Sequence, residues 1–476
     1  MITYQDMLKV ADSDIDRAQF VRNCIEQHKN SDLYKIAKVA DDYYRERNTT
    51  TMEYQRTYTT VTGEIVPDNY KAAHRTCSNF FFVIVTQRVQ YILANGCKWG
   101  KDETADRVGK DFDNRLIEMG WNAHIGGVCF GFFNLDHLEV FPVQEFAPIY
   151  DEENGALASG VRFWQVEPNR PLRATHYEMD GYTNYLWGYG EGEPIQPGWQ
   201  PIGNGGKIYF QPKRPYIMQG TSTDADGVTI FAGKNYPKFP IIPMWSGPLK
   251  QSEILGLREK IDAYDFIVNG FEDDLDNAQL YWIIKGAGGM MDSDLEQFLD
   301  RLKTVGAAAP ADGQDVEPVE INIPYAARET LLDRIEKQIY RDAMIMNPDD
   351  IKSGATTATQ IRAAYERQNI IGDQFEGCVL DFLDGLMKVA GIDDTATFTR
   401  STIVNTQEEI STVISAGTYL SEDYITEKIL NLLGDGDRYE EMIRERDAEG
   451  MERLNIAEPE QEQAEETDEE TGPGAP

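Results

Sequence analysis

Cysteine and histidine are scarce in this 476-residue chain, which contains five of each. The cysteines are odd in number, far apart and never in a C-x-x-C pair: Cys24, Cys77, Cys97, Cys129 and Cys378. This spacing predicts neither a disulfide framework nor a cysteine-ligated zinc site, and it fits a reducing cytosolic environment. No histidine stands in an H-E-x-x-H motif, so a zinc-hydrolase helix is not expected either.

One histidine and one cysteine, His124 and Cys129, lie close enough in the sequence to be considered as a thiol catalyst. A catalytic thiol needs a base that a third group orients, and the sequence offers no evident third partner. We therefore interpret this region as a buried turn around the two glycines at 126–127.

Long apolar stretches are also missing, because no run of 18 apolar residues occurs. A membrane-spanning helix is therefore not expected. The first residues, MITYQDMLKVADSD, show no basic region followed by an apolar core, so we expect no secretory signal. We expect no contact with a membrane.

Catalytic and nucleotide-binding motifs are absent as well. Gly-Lys pairs occur at 109–110, 206–207 and 233–234, but none lies in G-x-x-x-x-G-K-[ST], so the chain carries no Walker A loop. The segment DDLDN at 273–277 lacks the glycine and the final glutamate of a calcium loop. We expect no catalytic residue, no bound metal and no cofactor, and a hydrolase or nuclease is the least favoured class of function.

Basic residues are few relative to acidic ones: 45 Lys and Arg against 81 Asp and Glu give a formal net charge of −36. Affinity for a polyanion comes largely from Lys and Arg that displace counterions, so simple phosphate binding is disfavoured. An acidic protein can still meet nucleic acid where adhesion would be harmful, as in a channel through which it slides. That use of the charge is a hypothesis at this point.

The first half of the chain changes from helical to strand-like patterns. Helical periodicity predicts helices over 13–46, 70–95 and 101–119, and the Thr-rich segment 48–62 is predicted to be extended or a hairpin. From 126 to 245, short apolar strands alternate with turn residues, which indicates an antiparallel α+β domain.

The stretch 252–391 organises the rest of the chain. Apolar side chains recur here at steps of three and four residues, which predicts a helix over 253–278. These side chains are Ile254, Leu257, Ile261, Tyr264, Ile267, Phe271, Leu275 and Ala278. The other faces are acidic, so we expect them to face water or a like-charged space. Two further helices are predicted over 326–346 and 358–389, joined through Asn347-Pro348 and a polar loop.

A small insert and an acidic end complete the pattern. The insert, 280–324, is predicted to be strand–helix–strand, too small for a core of its own, so we expect neighbouring copies to complete it. A strand is predicted at 398–403 and short helices at 406–416, 421–433 and 438–449. The final residues hold many carboxylates and no basic residue, so they are expected to be disordered.

The order of these parts resembles the portal proteins of tailed bacteriophages over about residues 20–450. DDYYRERN is similar to the family's "dYY" segment, NFFFVIVTQRVQYILANG to the helix before the wing, and EFAPIYDEENG to a wing strand. NYPKFPIIPMW followed by LREKIDAYDFIVNGFEDDLDNAQ resembles the approach to the first stem helix. DDIKSGATTATQIRAAYERQ resembles the tunnel-loop segment, although the loop is short, and FTRSTIVNTQEEISTVISAGTYLSEDYITEKI resembles the crown.

The resemblance implies an α+β portal fold with an α/β wing, a two-helix stem, a small α/β clip insert and an α-helical crown, assembled as a ring. The implied divisions are the N-terminal helical part of the wing 1–62, wing 63–251, first stem helix 252–279, clip 280–324, second stem helix 325–346, tunnel loop 347–357, long wing and crown helix 358–397, crown 398–450 and disordered acidic tail 451–476.

Three sets of candidate residues follow from the resemblance. The DNA-facing tunnel loop would present Asp349, Asp350, Ile351, Lys352, Ser353, Gly354, Ala355 and Thr356. The channel-lining acids of the stem would be Asp262, Asp265, Glu272, Asp273 and Asp276. The docking face of the clip would include Met290, Met291, Asp292 and Asp294.

The implied partners are other copies of the chain in a ring, typically of twelve, and double-stranded DNA that passes through it. A terminase large subunit would supply ATP hydrolysis, and head-completion or adaptor, capsid and scaffold proteins would bind the ring. The implied location is one vertex of the virion capsid, and the host cytoplasm during assembly. The alternative is another structural virion component, a minor capsid or adaptor protein with no channel role.

Overall fold

The structure is a computed structural model of the 476-residue chain. It describes residues 2–10, 13–60, 63–68, 73–188, 198–203, 207–223, 229–278, 282–285, 297, 315–318, 325–347, 358–400, 410, 413–416, 419–433, 436–439 and 441–446. The chain forms two compact units, one of Met1–Asp350 with Ala364–Thr402 and one of Ile351–Ala363 with Ile403–Pro476.

Helices and strands both contribute to the fold. The helices are α1 Tyr4–Leu8, α2 Asp14–Asn30, α3 Asp32–Tyr44, α4 Thr49–Glu53, α5 Phe80–Leu93, α6 Asp102–Val108, α7 Phe112–Gly126, α8 Arg258–Ala278, α9 Tyr325–Asp342, α10 Ala358–Ala390 and α11 Glu422–Leu433. The strands are β1 Thr57–Thr59, β2 Ile65–Pro67, β3 Cys97–Trp99, β4 Val128–Asn134, β5 His137–Pro142, β6 Phe146–Tyr150, β7 Leu157–Trp164, β8 Leu172–Glu178, β9 Gly181–Trp187, β10 Gln200–Pro201, β11 Ile208–Arg214, β12 Ile217–Thr223, β13 Thr229–Lys234, β14 Ile241–Trp245, β15 Trp282–Lys285, β16 Asp315–Pro318 and β17 Ala396–Phe398.

The sheets of the first unit are antiparallel, as the alternation of short strands and turns predicts. Six strands pair in the order β10-β11-β9-β8-β7-β6, and three pair in the order β14-β4-β5. The remaining pairs are β1-β2, β12-β13, β15-β16 and β17-β3. The mixed helix-and-sheet class that the sequence indicates is therefore confirmed.

One core lies between α2 and the six-stranded sheet. α2 places Ala18, Val21 and Ile25 on this side at helical spacing, and the sheet meets them with side chains such as Val161 and Tyr185. A second core joins the three-stranded sheet to the same six strands and is mainly aromatic. Its members include Phe130, Phe132, Phe141, Phe146, Tyr177 and Tyr216.

The long helix α10 packs on the three-stranded sheet. Phe375, Val379, Phe382 and Leu386 follow each other at steps of four, three and four residues, and each is at most 2% exposed. The Phe382 ring lies so close to Gly131 that a Cβ there would stand 2.7 Å from it. The predicted helix 358–389 is thus confirmed, and its apolar stripe is a core stripe.

Four predicted helices differ from the structure. The helix expected over 70–95 begins only at Phe80 and ends at Leu93, and the other three differ at polar or glycine positions. The helix expected over 13–46 is broken at Ser31, whose hydroxyl accepts a hydrogen bond from the Tyr34 N–H and caps α3. The helix expected over 101–119 is broken at Gly109, which has a φ of 92° and a backbone conformation that glycine adopts without steric cost.

The Thr-rich segment 48–62, predicted to be extended or a hairpin, begins instead as the short helix α4. A hairpin does follow, but its second strand, β2, lies beyond the predicted range. The helix expected from residue 253 begins instead at Arg258, after a turn in which Gly256 has a φ of 85°. The left-handed conformation of Gly256 does not fit an α-helix. Residues 253–257 therefore lie outside α8 and contact other parts of the chain.

Gly160 is a position where the core tolerates no side chain. A Cβ at this residue of β7 would stand 2.1 Å from the ring of Phe146, which is fully buried. We expect Gly160→Ala to lower the free energy of unfolding by about 1–3 kcal/mol, because the ring cannot move away without overpacking the core. Urea unfolding followed by circular dichroism measures the change. Gly220→Ala on β12 is the matched control, since nothing lies within 4 Å of a Cβ there, and an equal loss in both variants would contradict the packing argument.

Candidate functional site

The two helices that flank the insert, α8 and α9, form an antiparallel pair. Lys260 Nζ lies 3.2 Å from Asp342 Oδ2 at one end, and Arg328 donates a hydrogen bond of 2.6 Å to Asp274 at the other. The two ion pairs are separated by the same number of residues on each helix, so the helices lie side by side without an offset. Strands β15 and β16 pair with each other within the insert.

The first side chain of α5 packs against both helices of the pair. Phe80 makes edge contacts with Tyr264 on α8 and with Tyr340 on α9, at ring-centroid distances of 4.9 Å and 6.1 Å. Such T-shaped contacts are favourable because the positive edge of one ring meets the negative face of the other. The ion pairs join α8 to α9, and Phe80 joins both helices to α5.

A polar stripe on α8 binds the backbone of an extended segment at 74–78. The Asn269 side chain accepts a hydrogen bond from the Thr76 N–H at 2.7 Å and donates one to the Thr76 carbonyl at 3.0 Å. One turn further along, Asp273 accepts hydrogen bonds of 2.8 Å from the backbone N–H and from ring Nδ1 of His74. The α8 side chains thus supply the partners that a neighbouring strand would otherwise give this segment.

Asp265 continues the stripe one turn before Asn269. It accepts hydrogen bonds from the Ser78 N–H at 3.0 Å, from Asn48 at 2.5 Å and from Thr51 at 3.1 Å. Burial raises the pKa of Asp265, and the hydrogen bonds to Ser78, Asn48 and Thr51 act in the opposite direction. The carboxylate is therefore held in place by three donors, which is how a buried charge without a cation is tolerated.

These contacts correct the expectation that the acidic side of α8 faces open space. Asp265 and Asp273 are only 1% and 6% exposed. Asp262 accepts hydrogen bonds from Tyr43 and Thr50, at 2.5 Å and 2.9 Å. The prediction failed there because sequence periodicity treats every carboxylate as solvent-facing, whereas donors from 43–78 cover these.

Of the other residues predicted for the stem, the tunnel loop and the clip, the structure describes only some. Glu272 is half-buried and accepts a hydrogen bond of 3.1 Å from the Thr76 hydroxyl. The Asp276 side chain lies outside the described residues, and so do the predicted tail at 451–476 and the two sets that follow. These are the tunnel loop, Asp349, Asp350, Ile351, Lys352, Ser353, Gly354, Ala355 and Thr356, and the clip face, Met290, Met291, Asp292 and Asp294.

A buried ion pair, missed by the sequence reasoning, joins four helices to the approach of α8. Nη1 of Arg88, on α5, lies 2.5 Å from Oε2 of Glu253. Arg88 also donates a 2.6 Å hydrogen bond to the carbonyl of Ala343, just after α9. Glu253 Oε1 lies 3.5 Å from His124 Nδ1 on α7. The His124 ring in turn packs on Phe375 of α10 at 4.4 Å. An arginine inside the apolar run of α5 was the sequence signal that could have indicated this pair.

The approach to α8 also closes the end of α7. The Ser252 hydroxyl donates to the Ile125 carbonyl at 2.6 Å, and the Glu253 N–H donates to the His124 carbonyl at 3.1 Å. These carbonyls belong to the last turn of a helix, where no partner exists within the helix itself. Gly127 allows the close approach, since a Cβ there would lie 2.8 Å from the Ser252 nitrogen.

Burial and charge set the protonation of this cluster. Burial alone would raise the pKa of Glu253, but its contact with His124 and the charge of Arg88 hold that pKa at about 2. Burial lowers the pKa of His124, although Glu253 opposes the shift. The pair at neutral pH is therefore an ionised carboxylate and an arginine, with a neutral histidine beside them.

The predicted buried turn at 126–127 is confirmed, and the thiol there is not activated. α7 ends at Gly126, and Gly127 has a left-handed φ of 83°. Burial raises the pKa of Cys129, and its thiol donates to the Phe141 carbonyl at 3.4 Å. Among the described residues, no base is in hydrogen-bonding contact with this neutral thiol, and a nucleophile would need one.

Within the described part of the chain, no three Asp, Glu, His or Cys side chains are grouped so that they could hold a metal ion. None of the described helices is both long and apolar enough to cross a membrane.

Comparison with known proteins gives a consistent family. Residues 235–453, which include α8, α9, α10 and α11, match the model of the family described as phage portal protein, SPP1 Gp6-like. The portal protein of Bacillus phage SPP1 is 23% identical over 363 residues, 71% of this chain and 65% of that protein. The portal protein of Clostridium phage phiCD119 is 23% identical over 181 residues, 36% of this chain and 40% of that protein. The chain is thus similar to phage portal proteins, by the family model over residues 235–453 and by the two relatives. It matches less than two thirds of the length of either relative.

Solved structures of gene transfer agent particles show a weaker likeness. The match to a chain from the neck of an empty particle covers 75% of this chain and 90% of that chain, at 13% identity and a TM-score of 0.42. The match to a chain from the neck of a native particle covers 74% of this chain and 89% of that chain, at 12% identity and a TM-score of 0.41. Scores of this size do not establish a common fold.

The Glu253 carboxylate predicts a specific pH dependence. Its pKa is lower in the folded chain, at about 2, than the ordinary value of 4.5. Its contribution to stability is therefore complete above about pH 5 and is lost as the pH falls toward 2. We expect the free energy of unfolding of the wild type at pH 7 to be about 3 kcal/mol higher than that of Glu253→Gln. This difference should shrink steadily as the pH falls below about 5. Urea unfolding between pH 3 and 7 measures the difference.

Glu26→Gln is the control for this pH series, because Glu26 pairs with Arg22 on the exposed surface of α2. That pair should contribute less than about 1 kcal/mol, with little change across the series. A difference between wild type and Glu253→Gln that stays constant with pH would show that the Glu253 charge is not what stabilises the fold.

The Asn269 contact predicts a local effect on the 74–78 segment. Asn269→Ala leaves the N–H and the carbonyl of Thr76 without their partner, at a cost of about 1–3 kcal/mol per unpaired group if they stay buried. We expect faster hydrogen exchange at the Thr76 amide, with α9 unaffected. Glu259→Ala, at an exposed position of the same helix, is the control, and unchanged exchange at Thr76 would contradict the role assigned to Asn269.

Proposed function

We propose that this chain is the subunit of a portal ring at one vertex of a phage capsid, through which double-stranded DNA enters during packaging and leaves during ejection. The observation that carries the proposal is the family match over 235–453, because that region contains the antiparallel pair α8–α9 with its insert and the long helix α10. Copies of the pair, arranged side by side around an axis, would form the wall of the channel, in a ring typically of twelve.

The charge of the chain suits passage of DNA better than capture of DNA. Twelve copies at a formal net charge of −36 each would repel phosphate at long range, so the duplex would meet few adhesive sites. Contact would concentrate at loop 347–357, with Lys352 as its cation. The insert would form the clip, with Met290 and Met291 on the face that docks the terminase ATPase and later the head-completion or adaptor proteins.

The five predicted acids of the stem contribute unequally in this proposal. Asp265 and Asp273 are occupied by the 48–78 segment, and Asp262 is hydrogen-bonded to Tyr43. Their charge would act on DNA only through the protein. Glu272, which keeps partial exposure, and Asp276 remain as the acids that would face the channel directly.

The remaining partners follow from the same role. Capsid and scaffold proteins would bind the outer surface of the ring, and assembly would take place in the host cytoplasm before the ring becomes part of the virion. The chain itself would catalyse no reaction, and ATP hydrolysis would belong to the terminase.

Electron microscopy of the purified chain tests the proposal. We expect negative-stain images to show rings with a central hole over a range of salt concentrations, and mass photometry to give a multiple of 53.9 kDa. Stable monomers at every salt concentration would overturn it. A phage infection that lacks only this chain should yield empty heads, whereas DNA-filled heads without tails would indicate an adaptor protein instead.

A further inference from the structure

The second half of α9 and the first third of α10 line a basic cleft. Arg334, Lys337 and Arg341 follow each other at three- and four-residue spacing, which places them on one side of α9. Arg367 on α10 joins them across a cleft of about 610 Å³. All four side chains are exposed. Ile335 and Ile339, which are more buried, lie on a different side of α9 and leave these cations free of the packing against α8.

Of the four basic side chains of this cleft, Arg341 lies 3.5 Å from the carboxylate of its neighbour Asp342, and the other three lack such a contact among the described residues. Elsewhere arginines readily find carboxylates, as Arg22, Arg45, Arg115 and Arg400 do. Within the described part of the chain, by contrast, Arg334, Lys337 and Arg367 pair with no carboxylate. With 81 acidic residues against 45 basic ones, three neighbouring cations without an acidic partner point to a ligand from outside the chain.

We propose that this cleft binds phosphate groups of the DNA backbone as the duplex passes, which rests on the channel role proposed above. Arginine presents a planar fork of donors that matches two oxygens of one phosphate. Arg334 and Arg341 are about 10 Å apart along α9, the axial span of about three phosphates of one strand. The surrounding negative charge keeps the contact local, so the cleft holds DNA weakly where the channel wall otherwise repels it.

A neighbouring copy of the chain is the other source of anionic groups, and the composition of the cleft argues against it. The centres of protein–protein interfaces are depleted in charged residues, lysine above all, and enriched in aromatic ones. This cleft instead gathers one lysine and three arginines, with Asp333 as the acidic residue among the described residues that line it. Exposed cations in that proportion are typical of a phosphate-binding surface.

Salt-dependent binding of a labelled duplex of about 30 base pairs to the assembled protein tests the cleft. The variant is Arg334→Gln, Lys337→Gln, Arg341→Gln and Arg367→Gln together. The control replaces four exposed cations elsewhere, Lys9, Arg22, Arg115 and Arg170, by Gln, so both variants change the net charge equally. We expect the cleft variant to lose at least about tenfold in affinity at 50 mM salt. Its slope of log K against log salt should shrink by about one for each phosphate contact removed.

Each other outcome overturns the inference in a distinct way. If the cleft variant assembles and binds the duplex as wild type does, the cleft does not contact phosphate, and the channel role is unaffected. If the cleft variant no longer assembles while the control does, the cleft joins neighbouring copies instead. If wild-type chains form no ring, the proposed function fails first and the inference with it.

Discussion

The buried contact between Arg88 and Glu253 is the interaction on which the rest of the structure depends. It joins the apolar helix α5 to the approach of α8, and through the Ala343 carbonyl it fixes the end of α9. A buried ion pair of this kind adds little net stability compared with apolar residues, but the loss of one partner is costly. Its effect is therefore geometric, since both helices of the pair are held at one point by a single guanidinium group.

The sequence predicted the fold class, most strands and the helices α9 and α10 because each rests on periodicity over many residues. Patterns of this kind are local, and Ser31 and Gly109 show where local capping or backbone freedom interrupts them. The acidic side of α8 could not be predicted in the same way. Asp265 is buried because Asn48 and Thr51 meet it from more than two hundred residues away, and a carboxylate alone does not show whether such donors exist.

The charge of the chain carries two different meanings at two levels. Across the whole sequence the excess of carboxylates disfavours adhesion to nucleic acid, and the proposed channel role would give that excess a use. Locally, one side of α9 is positively charged although the chain as a whole is negative. The grouping of these cations on one side of a helix distinguishes them from solvated lysines and arginines elsewhere in the described chain. A net charge therefore describes how a protein acts at long range, and grouped side chains describe how it acts at contact.

The binding of the 74–78 segment to α8 has a limit built into its geometry. Each step along the extended segment covers two residues, about 6.6 Å, while each step along the helix covers four residues, about 6.0 Å. The mismatch grows by about 0.6 Å with every contact, which is already about the range over which hydrogen-bond distances vary. Over the three successive contacts, at Ser78, Thr76 and His74, it reaches about 1.2 Å, so side-chain rotamers on α8 must absorb the difference, and each further contact would require more adjustment than the last.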